Sequence, residues 1–273
     1  MLLRASYKKK FVEDATRRDA LDFMTHCCDL GLGPRTVYDK LVTVLQLFKR
    51  HGREKLMEKG DWPSFVETIR PIYEPEEIIA MFRVATEDEA DILKFILGSG
   101  FRDQEIRCVE YVDLDSHHDL VRVTAKKKWE FTPKNWEERV VPLPMFRERL
   151  KKRKERKNAR PHDLIFGNTR GNPDSEMDMV VKRVAERAGL NWGRCITGHG
   201  NKCEEGPYCM NFFLHKFRHT FATNHLRDGV DIRTVQAWMG HRDINSTMVY
   251  LKGIRSNDAA QKVNSGELAG LVA

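Results

Sequence analysis

Residue types suited to chemistry at a phosphodiester are concentrated in the stretch 214–252. His215 and Arg218 are one helical turn apart, His241 follows a glycine at a predicted helix end, and Tyr250 comes nine residues later. A phenol has an unperturbed pKa of about 10, so at neutral pH it must lose its proton to a neighbour as it attacks, and histidine is the usual acceptor. The pattern predicts Tyr250 as a nucleophile, His215 as its base or as a group that orients the phosphate, and His241 as a partner of a non-bridging oxygen.

Each of these residues has a plainer interpretation when taken singly. His241 could cap a helix, Tyr250 could be a core residue, and the neighbouring His219 and His225 are assigned to packing or to the surface. It is the order H-x-x-R, then G-H, then Y that favours the chemical interpretation.

Two arginines could stabilise the charge that develops on the non-bridging oxygens. Guanidinium is planar, permanently charged and able to bind phosphate oxygens through two hydrogen bonds. Arg102 and Arg218 are the candidates, each predicted at the exposed start of a helix, where free backbone N–H groups also favour an anion. Either arginine alone would more simply be a surface or ion-pair residue, and it is their shared context that favours a phosphate site.

The leaving 5′ oxygen of such a reaction needs a general acid, which a lysine on a hairpin can provide. Lys134 lies between two β-prone runs, eight residues before Pro142. Lys126, Lys127 and Lys128 are its rivals, and composition alone does not choose among the four.

The hydrophobic pattern predicts a mainly helical protein with a small antiparallel sheet. A Gly-Ser-Gly break at 98–100 precedes a polar helical turn that carries Arg102 and Glu105. Three short β-prone runs, at 120–124, 139–143 and 163–166, are predicted to form the sheet. Helices are predicted at 11–31, 34–52, 75–85, 177–188, 215–228 and 231–239.

The charge distribution indicates a polyanion as partner. The chain of 273 residues has a net charge of +7, and the segment 122–160 carries 15 Lys or Arg against 5 Glu, a local +10 that leaves 7 − 10 = −3 for the remainder. Basic charge gathered in one sector is typical of proteins that bind nucleic acid. For the helical part after Pro144, a solvated lysine-rich helix is an equally good interpretation.

Composition also bears on class and location. The sequence has no apolar run long enough for a membrane span and no apolar segment of a secretory signal at its N-terminus, which predicts a cytoplasmic protein without a membrane partner.

Four potential metal ligands, Cys195, His199, Cys203 and Cys209, lie within one short segment and could hold a structural zinc ion. Reduced, unliganded cysteines in a glycine-rich loop are the alternative.

Three motifs together resemble the tyrosine recombinase family, also called the phage or lambda integrase family. GSGFRDQEI is similar to its box I, with Arg102 as the first catalytic arginine and Glu105 as the acidic residue three positions on. TPKNWEERVVPLP is similar to its PKT-x-x-S-R-x-V-P-L hairpin, which selects Lys134 as the catalytic lysine. LHKFRHTFATNHLRDGVDIRTVQAWMGHRDINSTMVY resembles box II, and supplies the remaining catalytic positions, His215, Arg218, His241 and Tyr250.

This resemblance implies a fold, an activity and an assembly. A mostly helical catalytic domain with a small sheet, residues 73–273, would follow a helical core-binding (SAM-like) domain at 1–60 and a linker at 61–72. Tyr250 would form a 3′-phosphotyrosyl link with double-stranded DNA and need no metal or nucleotide. A homotetramer on two DNA sites would exchange strands, and the C-terminal tail 253–273 would pack between neighbours.

Two departures from the family pattern accompany the resemblance. The N-terminal domain looks short, which suggests a truncated form or weak clamping of DNA, and the Cys-rich insert at 195–209 interrupts the approach to box II. The competing hypothesis is a catalytically silent DNA-binding protein of the same fold that acts in regulation. Because no catalytic position is missing, the sequence favours the enzyme.

Overall fold

The computed structural model describes residues 11–66, 69–143, 146–190 and 208–252. It separates into two compact units, residues 1–68 and 69–273. Each unit has a hydrophobic core of its own.

The first unit is built on two α-helices, α1 (Arg17–Asp29) and α2 (Pro34–Arg50). Pro34 occupies the first turn of α2, where its missing N–H costs nothing. The apolar residues of α2 that repeat every three or four positions face α1 and are buried: Val37, Leu41, Val44 and Phe48. The helix predicted from Pro34 is therefore confirmed, and it ends two residues earlier than expected.

The second unit is mainly helical. Its helices are α3 (Pro75–Val84), α4 (Glu87–Ser99), α5 (Asp103–Cys108), α6 (Arg147–Arg156), α7 (Met177–Arg187), α8 (Leu214–Arg227), α9 (Ile232–Met239) and α10 (Asn245–Leu251). Most of the centre of α4 is buried, with Lys94 partly exposed, and this helix packs against α8. As predicted, Asp231 caps α9 by accepting hydrogen bonds from the backbone of Arg233 and Thr234.

A three-stranded antiparallel sheet lies beside these helices, with the strands in the order β1 (Leu114–Asp115), β2 (Leu120–Val123) and β3 (Arg139–Pro142). The fold class, mainly α with a small antiparallel sheet, is confirmed. One predicted strand is wrong: the run 163–166 makes only an isolated bridge between Leu164 and Glu110, and β1 takes the third place. The backbone of residues 111–112 bonds to Asp163 and Pro161 instead, which ties that run to the core without extending the sheet.

The basic helix α6 is held by acidic residues at the start of α4. Arg153 donates to Asp88 at 2.6 Å and to Asp91 at 2.9 Å, and Lys157, just beyond α6, donates to Asp88 at 2.8 Å. Arg149 also pairs with Asp91. A good part of the basic sector is therefore neutralised within the protein, whereas Lys151 and Lys152 remain exposed.

Among the described residues, no helix combines the length and the apolar character that crossing a bilayer would require.

Candidate active site

The break between α4 and α5 is shaped by Gly100 and leads directly to Arg102. Gly100 has a left-handed backbone (φ 61°), and a Cβ there would lie 2.4 Å from Cδ1 of Phe221 on α8. Only glycine allows this close approach. Arg102 then precedes the first residue of α5, as predicted, and donates to the carboxylate of Glu105 at 2.8 Å and to the backbone oxygen of Gly240 at 2.8 Å.

Glu105 is the buried anion around which the cationic groups gather. Arg139 of β3 binds it through two hydrogen bonds of 2.8 and 2.6 Å. Burial alone would raise the pKa of Glu105, but the hydrogen bonds and charge of Arg139, with the charges of Arg102 and Arg218, lower it to about 2. Glu105 is therefore ionised and holds the guanidinium groups of Arg102 and Arg139 side by side.

Arg139 was not among the residues singled out from the sequence. Besides its bonds to Glu105, it donates to the backbone oxygen of Trp238 at 2.7 Å, so it joins the sheet to the end of α9. The sequence did contain a sign of this role, because Arg139 occupies the arginine position of the hairpin motif that selected Lys134.

Arg218 lies inside the second unit, and the prediction that it stands at an exposed helix start is wrong. It is the fifth residue of α8, only 1% exposed, and donates to the backbone oxygens of Gly100 and Met239. Those carbonyls end α4 and α9, so the side chain is fixed by two helix termini. Burial, the charge of Arg102 and the charge of Arg139 lower the pKa of Arg218 to about 9, which leaves the guanidinium charged at neutral pH.

His241 is oriented by its neighbours on both sides. A guanidinium can only donate, so the contact of 3.3 Å from Arg218 Nη2 makes Nε2 of His241 the acceptor. The hydrogen is then on Nδ1, which donates to the hydroxyl of Thr247 at 2.9 Å. Burial, with the charges of Arg218, Arg102, Arg139 and Lys134, lowers the pKa of His241 to about 3, so the ring is neutral.

Tyr250 is buried at 4% exposure, and its phenol points into this cluster. Burial raises its pKa above the ordinary value of 10, against the charges of Arg218, Arg70 and Arg102, so the phenol is protonated at neutral pH. Its ring stacks on that of His241, with centroids 6.2 Å apart and planes within 10°. Its hydroxyl lies 3.2 Å from Nδ1 of His219.

His219 therefore has a role in the site that the sequence interpretation did not give it. The residue is buried, as a packing histidine would be, but its polar edge meets the predicted nucleophile. Its only sequence signal was its position directly after Arg218. His225, by contrast, packs against Phe221 and Trp238 and fits its predicted role.

His215 lies one turn before His219 on α8, with ring centroids 4.8 Å apart and perpendicular planes. The residue is exposed on its outer side, yet desolvation of its ring and the charges of Arg218 and Arg102 lower its pKa to about 4. Within the described residues no hydrogen bond joins His215 to Tyr250. An exposed, neutral imidazole at the mouth of the site is suited to meet a phosphate from outside.

Lys134 stands on the exposed turn between β2 and β3, and Asn135 and Trp136 beside it have positive φ angles of 70° and 62°. Its charge contributes to the lowered pKa of His241, so it lies close enough to the site to act on that ring electrostatically. The rival Lys126 is engaged with Asp113 at 2.7 Å and Glu110 at 3.3 Å.

The structure thus brings five of the predicted residues into one cluster and places two at its margin. Arg102 contacts Glu105, and Arg218, His241 and Tyr250 are joined by a hydrogen bond and ring stacking. The two groups meet at the end of α9, where Arg102 binds the backbone of Gly240 and Arg218 that of Met239, while His215 and Lys134 border them. Arg70, in the predicted linker, is a further missed residue whose charge lowers the pKa values of His215 and Tyr250.

The structure does not test whether the four predicted metal ligands bind an ion. Cys195, His199 and Cys203 lie outside the described residues, and Cys209 is buried against the core of the second unit. A structural zinc ion stays a prediction. We expect close to one zinc per chain in protein purified without added metal, and a value near zero for well-folded protein would contradict the expectation.

The geometry defines a class of site. Two guanidinium groups held by one buried carboxylate, and a third held by the carbonyls of two helix ends, form a cationic cluster. A buried, protonated phenol and two neutral imidazoles lie against it. Such a cluster favours an anion with several oxygens, and the phenol is the nucleophile in reach. The site is therefore suited to transfer a phosphoryl group to tyrosine.

Comparison with known proteins agrees with that class. Residues 73–255 match the phage integrase family, and the chain belongs to that family. It is 27% identical over 258 residues to the tyrosine recombinase XerC of Bacillus subtilis (strain 168), covering 87% of this chain and 77% of that protein.

Solved structures share the fold. The Tn1549 transposon integrase in complex with transposon right end DNA has a TM-score of 0.67 at 18% identity, covering 97% of this chain and 91% of that one. The XerH site-specific recombinase bound to palindromic difH substrate, in a post-cleavage complex, has a TM-score of 0.67 at 16% identity, covering 97% and 77%.

Proposed function

We propose that this protein is a site-specific DNA recombinase that cuts and rejoins DNA strands through a 3′-phosphotyrosyl intermediate on Tyr250. The supporting observation is that Arg102, Arg139 and Arg218, which are distant in sequence, converge beside the buried phenol of Tyr250. The names of the similar proteins, recombinases and a transposon integrase in part bound to DNA, support the same substrate.

Each group has a distinct task in the proposed reaction. The scissile phosphate lies against Arg102 and Arg218, whose charges stabilise the non-bridging oxygens as the pentavalent arrangement forms. His215 meets the phosphate at the open side of the site. Lys134 on the hairpin gives a proton to the departing 5′ oxygen. The phosphotyrosyl bond conserves the energy of the broken phosphodiester, so the strand can be rejoined without a nucleotide or a metal.

Trapping of the covalent intermediate tests the proposal. The substrate is a duplex that carries the protein's site and a nick next to the cleavage position. After cleavage, the short fragment that bears the new 5′ hydroxyl dissociates, so the strand cannot be resealed. We expect an adduct that survives SDS, with the nucleotide on the tryptic peptide 243–252, which contains one tyrosine. An adduct on any other peptide would contradict the assignment of Tyr250.

The second candidate is the catalytically silent DNA-binding protein. It predicts salt-dependent binding to duplex DNA and no adduct with any nicked substrate, at any protein concentration. The complete cluster of charged and titratable groups favours the enzyme, because a binding protein has no need for a buried phenol among neutral imidazoles.

The proposed assembly is a homotetramer on two duplex DNA sites, as strand exchange between two sites requires. It would be detected as a complex of four chains and two duplexes by light scattering coupled to size-exclusion chromatography. The cytoplasmic location stays a prediction.

A further inference from the structure

We propose that His219 is a catalytic residue of this site, which takes the phenolic proton of Tyr250 during cleavage and returns it during ligation. The inference rests on the proposed function and assigns a step within it. It leaves His215 with the second of its two predicted roles, that of orienting the phosphate.

The first argument is contact. Nδ1 of His219 lies 3.2 Å from the hydroxyl oxygen of Tyr250, within the range from which a proton can pass directly. The two rings are tilted by 48° with centroids 5.6 Å apart, so the imidazole meets the phenol with its polar edge rather than its face. A histidine that served only to fill space would not need this orientation.

The second argument is that neighbouring imidazoles are engaged elsewhere. Nε2 of His241 accepts from Arg218 and its Nδ1 donates to Thr247, and its ring lies parallel to that of Tyr250. Within the part of the chain that the structure describes, His215 makes no hydrogen bond to the phenol. His219 is thus the imidazole in contact with the nucleophile.

The third argument is burial. His219 is 7% exposed and Tyr250 is 4% exposed, so the phenol has little access to bulk water as a proton acceptor. An internal acceptor must be in place before the attack, and it must be neutral. The phenol is the donor, so Nδ1 of His219 carries the lone pair and the ring hydrogen is on Nε2.

Surrounding charge keeps that acceptor neutral until a substrate arrives. Burial lowers the pKa of His219 to about 3, and the nearby charged and titratable groups His215, Arg70, Arg218 and His241 act in the same direction. A bound phosphodiester brings a negative charge next to these arginines and partly cancels their effect. The pKa of His219 then rises, and its strength as a base increases only when there is a phosphate to attack.

The proton balance closes over the reaction. In cleavage, the Tyr250 oxygen bonds to phosphorus, its proton moves to Nδ1 of His219, the bond to the 5′ oxygen breaks, and that oxygen takes a proton from Lys134. His219 is then an imidazolium and Lys134 a neutral amine. In ligation the 5′ hydroxyl returns its proton to Lys134, and His219 protonates the departing phenol oxygen.

The test compares His219→Asn with wild type in single-turnover cleavage of the nicked duplex. Asparagine can place a polar atom near the position of Nδ1 and so keep a hydrogen bond to the phenol, but it does not accept a proton. We expect the cleavage rate at neutral pH to fall by about 100-fold or more, as for loss of a general base. His225→Asn on the same helix is the control and should keep the wild-type rate.

Two readouts separate proton transfer from a structural role. In His219→Asn the cleavage rate should rise with pH, because a larger fraction of the phenol has already lost its proton before the attack, whereas the wild-type rate should not show that rise. Replacing Tyr250 with a fluorotyrosine, whose phenol is more acidic, should restore much of the lost rate in His219→Asn. A defect that neither pH nor the fluorinated phenol relieves would overturn the inference.

The outcomes also distinguish this inference from the proposed function. If wild type forms no adduct, the proposed function fails. If wild type forms the adduct and His219→Asn cleaves at the same rate, only the role of His219 fails. His219→Gln provides a second variant should the asparagine protein not fold, with thermal unfolding as the check and the same two readouts.

Discussion

A Tyr250→Phe protein is expected to bind its DNA site as wild type does and to form no covalent adduct. The substitution removes one oxygen, the only atom of the side chain that can attack phosphorus, and leaves the ring that stacks on His241. Loss of the hydrogen bond with His219 should lower the free energy of unfolding by about 1 kcal/mol. The measurement is SDS-resistant adduct on the nicked duplex, with binding followed by gel shift.

The matched control is Tyr111→Phe, a change of the same atom in a tyrosine of similar burial outside the cluster, with 5% exposure against 4%. That protein should form the adduct at the wild-type level. Adduct formation by Tyr250→Phe at more than a trace level would mean that another residue is the nucleophile.

A Glu105→Gln protein is expected to be strongly destabilised. Glutamine keeps the shape of the side chain but removes the charge that holds Arg102 and Arg139, and it leaves those guanidinium groups close to Arg218 without a counterion. Removing one partner of a buried ion pair typically costs about 3–5 kcal/mol. We expect a fall of that size in the free energy of unfolding of the second unit, measured by chemical denaturation.

The pH dependence of unfolding gives an independent measure of the same interaction. The pKa of Glu105 is lowered to about 2 in the folded protein from an ordinary value of 4.5, so the folded state binds the proton less readily than the unfolded state. Its stabilising contribution is fully present above pH 4.5 and is lost as the pH falls towards 2. The stability difference between wild type and Glu105→Gln should therefore narrow over that interval.

Glu155→Gln, on the exposed side of α6, is the control for a change of one negative charge. It should unfold like wild type, since exposed charges contribute little to stability. Equal stability of Glu105→Gln and wild type at neutral pH would show that the arginines do not depend on the carboxylate.

Local sequence was enough for most of the helices of this protein. The repeat in 34–52 and the Asp231 cap depend on neighbours within one or two turns, and the structure has both. The prediction of a strand at 163–166 failed because a strand needs another strand beside it as well as a suitable composition. The backbone of this run bonds instead to Val109 and Tyr111, which lie outside the sheet.

The sequence by itself determined the set and order of reactive residue types, and with them the family, because H-x-x-R, G-H and Y keep their spacing within one short stretch. Only the tertiary structure decided which of them touch. Arg102 meets Gly240 across 138 residues, Arg139 meets Glu105 across 34, and His219 meets Tyr250 across 31. The faces that α8 and α10 turn towards each other are set by packing of the whole core, and local periodicity carries no information on such distant pairs.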